Sequence, residues 1–294
     1  MRPRVVRIAK PPRNTGRLTG QRPDAPAPTA CRRSATLSRH EPPIAPVELT
    51  VLGAGPAYTD RPGATGAAYL VRLGRTAILL DLGQGSFPRL AAELEPSTLD
   101  GVFVSHLHSD HFVDLVPLRH YLRFEFTPVR RVRVLGPAGL ADRIDALNGT
   151  PGFTLASLDC EGLGGEPVRV GDLVVQPTRV THTDESYGFR VEGPDGGPGL
   201  VYSGDCGRAA DLAGMIQPGD ALLAEVSFGP GPVPDGALHL DGPAVGDLAA
   251  ATGAGRVLLT HLQMGFDEAA TIESVRRRFD GPVTLVEPGD RAEI

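Results

Sequence analysis

Short apolar runs recur along the chain from residue 47 onward, and most of them have the pattern of β-strands. Residues 47–52 alternate between apolar and polar positions, and residues 67–73 and 75–80 read as a hairpin about Gly74. A second predicted hairpin turns at Gly171 and Asp172. Further strands are predicted at residues 102–104, 131–135, 174–180, 199–204, 221–224, 256–260 and 283–286.

Longer stretches with apolar residues three or four apart separate these runs and predict helices. Residues 113–126 show this spacing at Val113, Val116, Leu118, Tyr121 and Leu122. The other predicted helices cover residues 87–94, 140–147, 243–251 and 268–279. The alternation of strands and helices predicts an α/β fold with helices packed on sheets.

Six of the apolar runs end at a side chain that can bind a metal ion or transfer a proton. These residues are Asp81, His106, His182, Asp205, Glu225 and His261. Because neighbouring buried strands bring their ends to one edge of a sheet, we expect these side chains to meet there. One such residue alone would be unremarkable, so the prediction depends on the whole set.

The densest group follows the strand at 102–104, where the chain reads His106-Leu107-His108-Ser109-Asp110-His111. In extended chain, His106 and His108 point to the same side. Asp110 and His111 come after the chain begins to turn, so they address a neighbouring position. Imidazoles and carboxylates suit Zn²⁺, or less selectively Mn²⁺ or Fe²⁺. Two such ions, bridged by a carboxylate and a hydroxide, generate a nucleophile at neutral pH.

Composition and charge divide the chain near residue 46. Residues 1–46 contain 10 of the 29 Lys and Arg residues and two of the 35 Asp and Glu residues, which gives net +8 there and −14 over the rest. This Arg/Pro-rich segment lacks apolar periodicity and is predicted to be a disordered N-terminal extension. A start site placed too early, a transit peptide and a nucleic-acid-binding arm are alternative interpretations. Residues 47–294 are predicted to form one catalytic domain.

Three widely spaced cysteines, Cys31, Cys160 and Cys206, do not form the pattern of a disulfide framework, so a cytoplasmic location is predicted. The sequence contains no apolar stretch long enough for a membrane helix. A Gly-x-Gly occurs at Gly53 and Gly55, but Tyr58 stands where a dinucleotide-binding motif has its third glycine. We therefore reject a dinucleotide-binding site at this position.

From residue 47 onward the ordered motifs resemble the metallo-β-lactamase-fold hydrolases, and within them the branch of ribonuclease Z and related phosphodiesterases. The resemblance rests on the His106–His111 run, His182, Tyr-Ser-Gly-Asp ending at Asp205, and Leu-Leu-Thr-His ending at His261. It implies a four-layer αβ/βα sandwich, a dinuclear zinc centre and, frequently in this family, a homodimer.

The resemblance also implies roles for individual residues. One metal would lie on His106, His108 and His182, and the second on Asp110, His111 and His261, with Asp205 bridging them. Asp110 would also orient the attacking hydroxide, and Asp81 would orient a ligand histidine. Glu225 and His239 resemble a catalytic pair of the phosphodiesterase branch, in which the histidine protonates the leaving oxygen and the glutamate supports it.

The sequence departs from ribonuclease Z in one informative place. That enzyme carries a long tRNA-binding arm between the third ligand motif and the bridging Asp, whereas this chain has only a Gly/Pro-rich turn after Glu192. With the acidic body, this favours a small phosphodiester, such as a cyclic nucleotide or cyclic ribose phosphate, over nucleic acid. RNA 3′ processing remains an alternative, as does hydrolysis of a lactone, ester or thioester by the same centre.

Two readings from other classes are weaker. A regulatory protein with an inactive centre is disfavoured because every expected ligand is present. A redox di-iron role is disfavoured because such sites resemble His-x-Glu-x-Asp, and here His108 takes the place of the glutamate. Cys206 directly follows Asp205, and a small buried filler is favoured over a redox-sensitive thiol.

Overall fold

A computed structural model describes residues 46–294, and these residues form two mixed seven-stranded sheets. The extension predicted at 1–46 lies outside the described residues, apart from Pro46. The strands are β1 (Glu48–Gly53), β2 (Ala68–Leu73), β3 (Thr76–Leu80), β4 (Gly101–Phe103), β5 (Val132–Gly136), β6 (Leu158–Gly162), β7 (Val168–Val170), β8 (Leu173–Arg179), β9 (Tyr187–Glu192), β10 (Leu200–Tyr202), β11 (Ala221–Glu225), β12 (Arg256–Thr260), β13 (Val283–Leu285) and β14 (Arg291–Glu293). The helices are α1 (Phe87–Glu93), α2 (Ser109–Phe112), α3 (Leu115–Phe124), α4 (Leu140–Leu147), α5 (Ala210–Ala213), α6 (Gly242–Thr252) and α7 (Glu268–Arg276).

Each sheet combines antiparallel hairpins with a parallel region. The first sheet has the order β14-β1-β2-β3-β4-β5-β6, and strands β3 to β6 are parallel. The second has the order β13-β12-β11-β10-β9-β8-β7, and strands β10 to β13 are parallel. Parallel neighbours end at the same edge, which is the arrangement that the candidate residues at the strand ends require.

The two sheets pack face to face, and helices cover their outer faces. Between the sheets the rings of Tyr69 and Tyr202 lie 4.9 Å apart, and those of Phe103 and Phe189 lie 5.8 Å apart. Apolar residues of α3 and α4 pack on the outer face of the first sheet, and those of α6 and α7 pack on the second. This confirms the predicted four-layer sandwich.

Helix boundaries follow ordinary capping chemistry. The carboxylate of Asp241 accepts a hydrogen bond from the Ala244 amide at the start of α6, and that of Asp267 does the same from Ala270 at α7. Helix α6 ends at Gly253, whose φ of 70° favours glycine. These caps fix where α6 and α7 begin and where α6 ends.

Several elements differ from the sequence prediction. The helix predicted at 113–126 is α3, which is shorter at both ends, and the short helix α2 over Ser109–Phe112 was not predicted. Strand β6 was not predicted because most of its side chains are exposed and carry no apolar alternation. Strand β14 returns to pair with β1 and was also missed. Among the helices described, none is long and apolar enough to cross a membrane.

Candidate metal centre

The side chains predicted to meet at the strand ends do converge. His106 and His108 follow β4, Asp110 and His111 lie on α2, and His182 follows β8. Asp205 follows β10 and His261 follows β12. Ligand atoms of these residues fall into two groups whose members lie within 4.8 Å of one another, and a third such group joins Asp205 and His261 to His239. The first sheet and its loops contribute four of the seven residues, and the second contributes three.

The first group consists of His106, His108, His182 and Asp205. The His108 Nδ1 atom lies 3.0 Å from His106 Nε2 and 3.1 Å from His182 Nε2. The Asp205 Oδ2 atom lies 3.7 Å from His106 Nε2 and 3.6 Å from His182 Nε2. Ligand atoms around a tetrahedral zinc ion, with bonds of about 2.0–2.1 Å, are about 3.3 Å apart. The spacing of this group therefore fits one cation.

The second group consists of Asp110, His111 and His261, and it shares Asp205 with the first. The Asp110 Oδ2 atom lies 3.2 Å from His261 Nε2 and 3.7 Å from His111 Nε2. The other oxygen of Asp205, Oδ1, lies 3.4 Å from His111 Nε2 and 3.6 Å from His261 Nε2. Asp205 thus presents one oxygen to each group, which is the geometry of a bridging carboxylate.

Two buried polar atoms in this centre have no hydrogen-bond partner among the described residues. They are His111 Nε2 and Asp205 Oδ1, which lie 3.4 Å apart. His111 is fully buried and Asp205 is 3% exposed. Since buried polar groups are almost always paired, these orphaned atoms fit a cation between them. The donor set, imidazole and carboxylate, suits zinc, manganese or iron.

The protonation of the histidines is set by burial and by the carboxylates. Burial, helped by the neighbouring His111, holds the pKa of His106 well below its usual value and so favours the neutral ring that metal binding requires. Burial opposes charge on His111 too, but the carboxylates of Asp205 and Asp81 outweigh it and raise the pKa of His111. Burial likewise opposes ionisation of Asp205, and His261 and His111 together hold the pKa of Asp205 well below its usual value. The centre is therefore organised around an ionised carboxylate.

Asp81 fixes the orientation of His111. Its Oδ2 accepts hydrogen bonds from His111 Nδ1 at 2.7 Å, from the Tyr202 hydroxyl at 2.7 Å and from the Ser105 hydroxyl at 2.8 Å. Its Oδ1 accepts from the Ser105 amide at 2.7 Å. With Nδ1 bonded to a carboxylate, Nε2 of His111 is the nitrogen left to face the centre. Asp81 and His261 both have positive φ, 60° and 58°, which non-glycine residues rarely adopt outside functional sites.

The loop after β3 also holds the backbone of α2 in place. The Leu82 amide donates to the carbonyl of His111 at 2.8 Å, and the Asp114 amide donates to the carbonyl of Leu82 at 3.0 Å. A Cβ atom on Gly83 would lie 1.8 Å from the carbonyl oxygen of Asp110. Only glycine therefore permits this close approach, which sets the position of Asp110 and His111.

Glu225 and His239 form a pair beside the two groups. The buried Glu225 carboxylate accepts a hydrogen bond from His239 Nδ1 at 2.9 Å through Oε1, which also accepts from the Cys206 amide. Burial disfavours charge on His239, but the bond to Glu225 outweighs it and raises the pKa of His239. His239 is partly exposed and lines the same cavity as His108, Asp110, Asp205 and His261. The His239 ring is thus held by its Nδ1 next to the centre, and its Nε2 makes no hydrogen bond with any residue that the structure describes.

Ser227 connects this pair to the second group. Its hydroxyl donates to Glu225 Oε2, and it lies 3.1 Å from His261 Nδ1 and 3.2 Å from His239 Nδ1. Since the hydroxyl hydrogen is directed to Glu225, the oxygen accepts from His261 Nδ1, and Nε2 of His261 then faces Asp110. His182 is oriented similarly by the carbonyl of Leu238, 2.8 Å from its Nδ1.

The sequence pointed to all the converging side chains but missed several of the residues that orient them. Ser105, Tyr202 and Ser227 are common residue types whose roles follow only from contacts with distant segments. The sequence offered one indication of such a role, the position of Ser227 two residues after Glu225. His120, which lies within the apolar pattern at 113–126, is exposed on α3 and belongs to no candidate metal group among the described residues. Cys206 is fully buried, and burial raises the pKa of its thiol to about 12, which supports the filler role.

Comparison with known proteins agrees with this geometry. Residues 77–262 match the β-lactamase superfamily domain. The uncharacterized protein ML1173 of Mycobacterium leprae is 33% identical over an alignment covering 85% of this chain and 90% of that protein. Ribonuclease Z of Mycobacterium bovis is 28% identical over 61% of this chain and 70% of its own length.

Solved structures show the same fold. The metallo-β-lactamase fold protein YhfI from Bacillus subtilis superimposes with a TM-score of 0.75 at 22% identity, over 85% of this chain and 99% of that one. A diphosphatase from the PhnP family superimposes with a TM-score of 0.66 at 18% identity, over 84% and 98% of the two chains. The family match spans most of the two-sheet domain and all seven converging side chains. This chain belongs to the β-lactamase superfamily.

Proposed function

We propose that this protein is a dinuclear metal-dependent phosphodiesterase that acts on a small phosphodiester. The observation that carries the proposal is the Glu225–His239 pair, 2.9 Å apart, beside two cation-sized groups of ligands that share one carboxylate. Phosphodiester cleavage expels an alkoxide, which needs a proton. A histidine held protonated by a buried glutamate is a suitable donor.

The residues divide between metal binding and proton transfer. His106, His108 and His182 would hold one Zn²⁺, and Asp110, His111 and His261 would hold the second, with Asp205 shared. Two such cations supply a nucleophile from water at neutral pH and compensate the charge of the phosphate. His239 delivers its proton from Nε2 to the leaving oxygen, and Glu225 keeps Nδ1 protonated and the ring in position. Asp110 accepts a proton at Oδ2 and orients the attacking group.

The surroundings of the centre favour a small substrate over RNA. Strands β9 and β10 are joined by the 193–199 turn, so the position of a tRNA-binding arm is filled by a tight connection. The acidic charge of residues 47–294 repels a polyanion. The relatives include proteins named ribonuclease Z and diphosphatase, both of which act on phosphate esters or anhydrides, and this supports phosphorus as the reacting centre.

The proposal includes a cytoplasmic setting. Cys160 and Cys206 are both free thiols within the described residues, as expected in a reducing compartment, while Cys31 lies outside them. The binding partner in this proposal is the small-molecule substrate.

The test compares two substrate panels on the metal-loaded protein. We expect turnover of bis-p-nitrophenyl phosphate and of nucleoside cyclic phosphates, and little turnover of lactones, esters or thioesters. His239→Ala should reduce phosphodiester turnover by about 10²–10⁴-fold while the protein keeps its metal, since general acid catalysis contributes that much. Preferred turnover of the lactone panel, or full phosphodiesterase activity of the variant, would contradict the proposal.

A further inference from the structure

The loop between β1 and β2, here called the 54–65 loop, places an aromatic side chain at the mouth of the candidate metal centre. Tyr58 is 69% exposed, yet it lines the same cavity as His108, Asp205 and His239. Its ring makes no aromatic contact and its hydroxyl no hydrogen bond with any residue that the structure describes. The large apolar face of this ring is therefore available to a ligand.

The loop is fastened on both sides of Tyr58. Before it, the Gln84 carboxamide donates to the carbonyl of Pro56 at 3.1 Å. After it, the Arg61 guanidinium donates to the carbonyls of Leu262 at 2.9 Å and Phe266 at 3.1 Å. Arg61 thus ties the loop to the segment that follows His261. Because both flanks are bonded, the loop holds Tyr58 at the mouth before any ligand binds, which lowers the entropic cost of binding.

Positive charge in the cavity would come from its histidines and from the cations that the centre would hold. Its volume is about 270 Å³, and among its lining residues there is no Arg or Lys. Apart from the candidate ligands and His239, it is lined by Pro56, Ala57, Tyr58, Ser109 and Gln263. A second phosphate on a substrate would find no cationic side chain there. An uncharged planar ring fits this wall, since it stacks on Tyr58 and presents polar edges to the Gln263 carboxamide.

We infer that Tyr58 is a specificity-determining residue that stacks on a nucleobase, so that the substrate is a nucleoside phosphodiester with a single negative charge. The inference rests on the proposed function for the identity of the reacting group. The metal centre by itself does not discriminate between nucleoside cyclic phosphates and cyclic ribose phosphates that lack a base. A stacking contact with Tyr58 would favour the nucleoside substrates.

A binding experiment tests this independently of turnover. The chain contains no Trp, so Tyr58→Trp introduces a single fluorescent reporter at the mouth of the cavity. We expect adenosine 3′,5′-cyclic phosphorothioate to quench this fluorescence in the metal-loaded protein, because the base stacks on the new ring. Dimethyl phosphate, a singly charged phosphodiester without a ring, should leave it unchanged.

Phe124→Trp is the matched control. Phe124 is 67% exposed, close to the value for Tyr58, but it lies on α3 and does not line the cavity. Quenching confined to the Tyr58→Trp protein supports the inference. Equal quenching in both proteins, or none in the Tyr58→Trp protein, overturns it. Quenching at Tyr58→Trp in a protein that hydrolyses no phosphodiester would keep the nucleobase subsite and reject the proposed function.

Kinetics give a second readout. Tyr58→Ala should raise KM for a nucleoside cyclic phosphate about five- to a hundredfold, the range expected from the loss of one base–aromatic stack. The value of kcat should stay nearly unchanged. Tyr58→Phe keeps the ring and should restore the low KM. A KM unchanged by Tyr58→Ala, or raised equally by Tyr58→Phe, would contradict stacking as the role of this residue.

Discussion

The hydroxyl of Ser227 lies 3.1 Å from Nδ1 of His261, and the same oxygen donates its hydrogen to the carboxylate of Glu225. One side chain therefore orients a candidate metal ligand and supports the residue that holds the candidate proton donor. Such contacts behind a ligand histidine fix its tautomer and leave the other nitrogen directed at the metal.

Replacing Ser227 should therefore weaken metal binding. We expect Ser227→Ala to lower the affinity of the protein for Zn²⁺ by about 10–100-fold, because His261 Nδ1 loses its acceptor. Competition with a chromophoric chelator measures this affinity. Ser227→Thr keeps the hydroxyl and should bind zinc like the natural protein, so an equal loss in both variants would show that the contact does not act through the hydroxyl.

Asp81 offers an isosteric test of the hydrogen bonds behind His111. Asp81→Asn tolerates the positive φ of this position, but it replaces an acceptor oxygen with an NH₂ group that faces donors. We expect a loss of about 2–3 kcal/mol in the free energy of unfolding, because at least one buried donor remains unpaired, and about 10–100-fold weaker metal binding. Chemical denaturation and chelator competition measure the two effects.

Tyr202→Phe is the matched control for Asp81→Asn. It removes one donor to Asp81 and leaves the contact with His111 in place. It should cost about 1 kcal/mol of stability and leave metal affinity nearly unchanged. Metal binding lost equally in both variants would mean that Asp81 does not act through His111.

Removal of metal should lower the thermal stability of the natural protein. A cation present at 100 times its Kd stabilises the folded state by about 2.7 kcal/mol, which corresponds to about 5–10 °C in Tm for a domain of this size. Differential scanning fluorimetry with and without a chelator measures this difference. Asp205→Asn lacks the shared carboxylate, so its Tm should respond much less to the chelator.

A pH-dependent contribution to stability is expected at Asp145, far along the chain from the metal centre. Burial opposes ionisation of the Asp145 carboxyl group. The carboxylate accepts hydrogen bonds from the amides of Thr154 and Gly152, and these outweigh burial and lower the pKa of Asp145. A folded-state pKa below the unfolded value gives stability that is present above the unfolded pKa, near 3.9, and is lost as the pH falls through the folded pKa.

Asp145→Asn should therefore cost about 1 kcal/mol at neutral pH, and the difference from the natural protein should vanish once the solution is acidified below the folded-state pKa of Asp145. Urea denaturation of the metal-free proteins across this range measures it without interference from the metal centre. A difference that stays constant with pH would show that the carboxylate charge contributes nothing.

The sequence predicted the fold and the converging side chains for a physical reason. Buried parallel strands have continuous apolar runs, and the residues after them, such as Asp81 and Asp205, must lie at a sheet edge. Strand β14 escaped prediction because Arg291–Glu293 has no apolar alternation and is defined only by pairing with β1.

The residues that orient the site could not be predicted in the same way. Ser227 acts across 34 positions on His261, and Tyr202 acts across 121 positions on Asp81. Such contacts depend on how the sheets pack, which the local pattern does not encode. Tyr58 was read only as an argument against a dinucleotide motif, because its position at the mouth of the cavity follows from the fastening of the 54–65 loop.

The division of the candidate ligands between the two sheets has a consequence during synthesis of the protein. The segment that carries His106, His108, Asp110 and His111 is made first, and His261 follows 150 residues later. A nascent chain that stops short of His182 contains an incomplete set of candidate ligands, so tight capture of cations would wait until the two sheets have docked. Cation loading would then report that the second sheet has folded against the first.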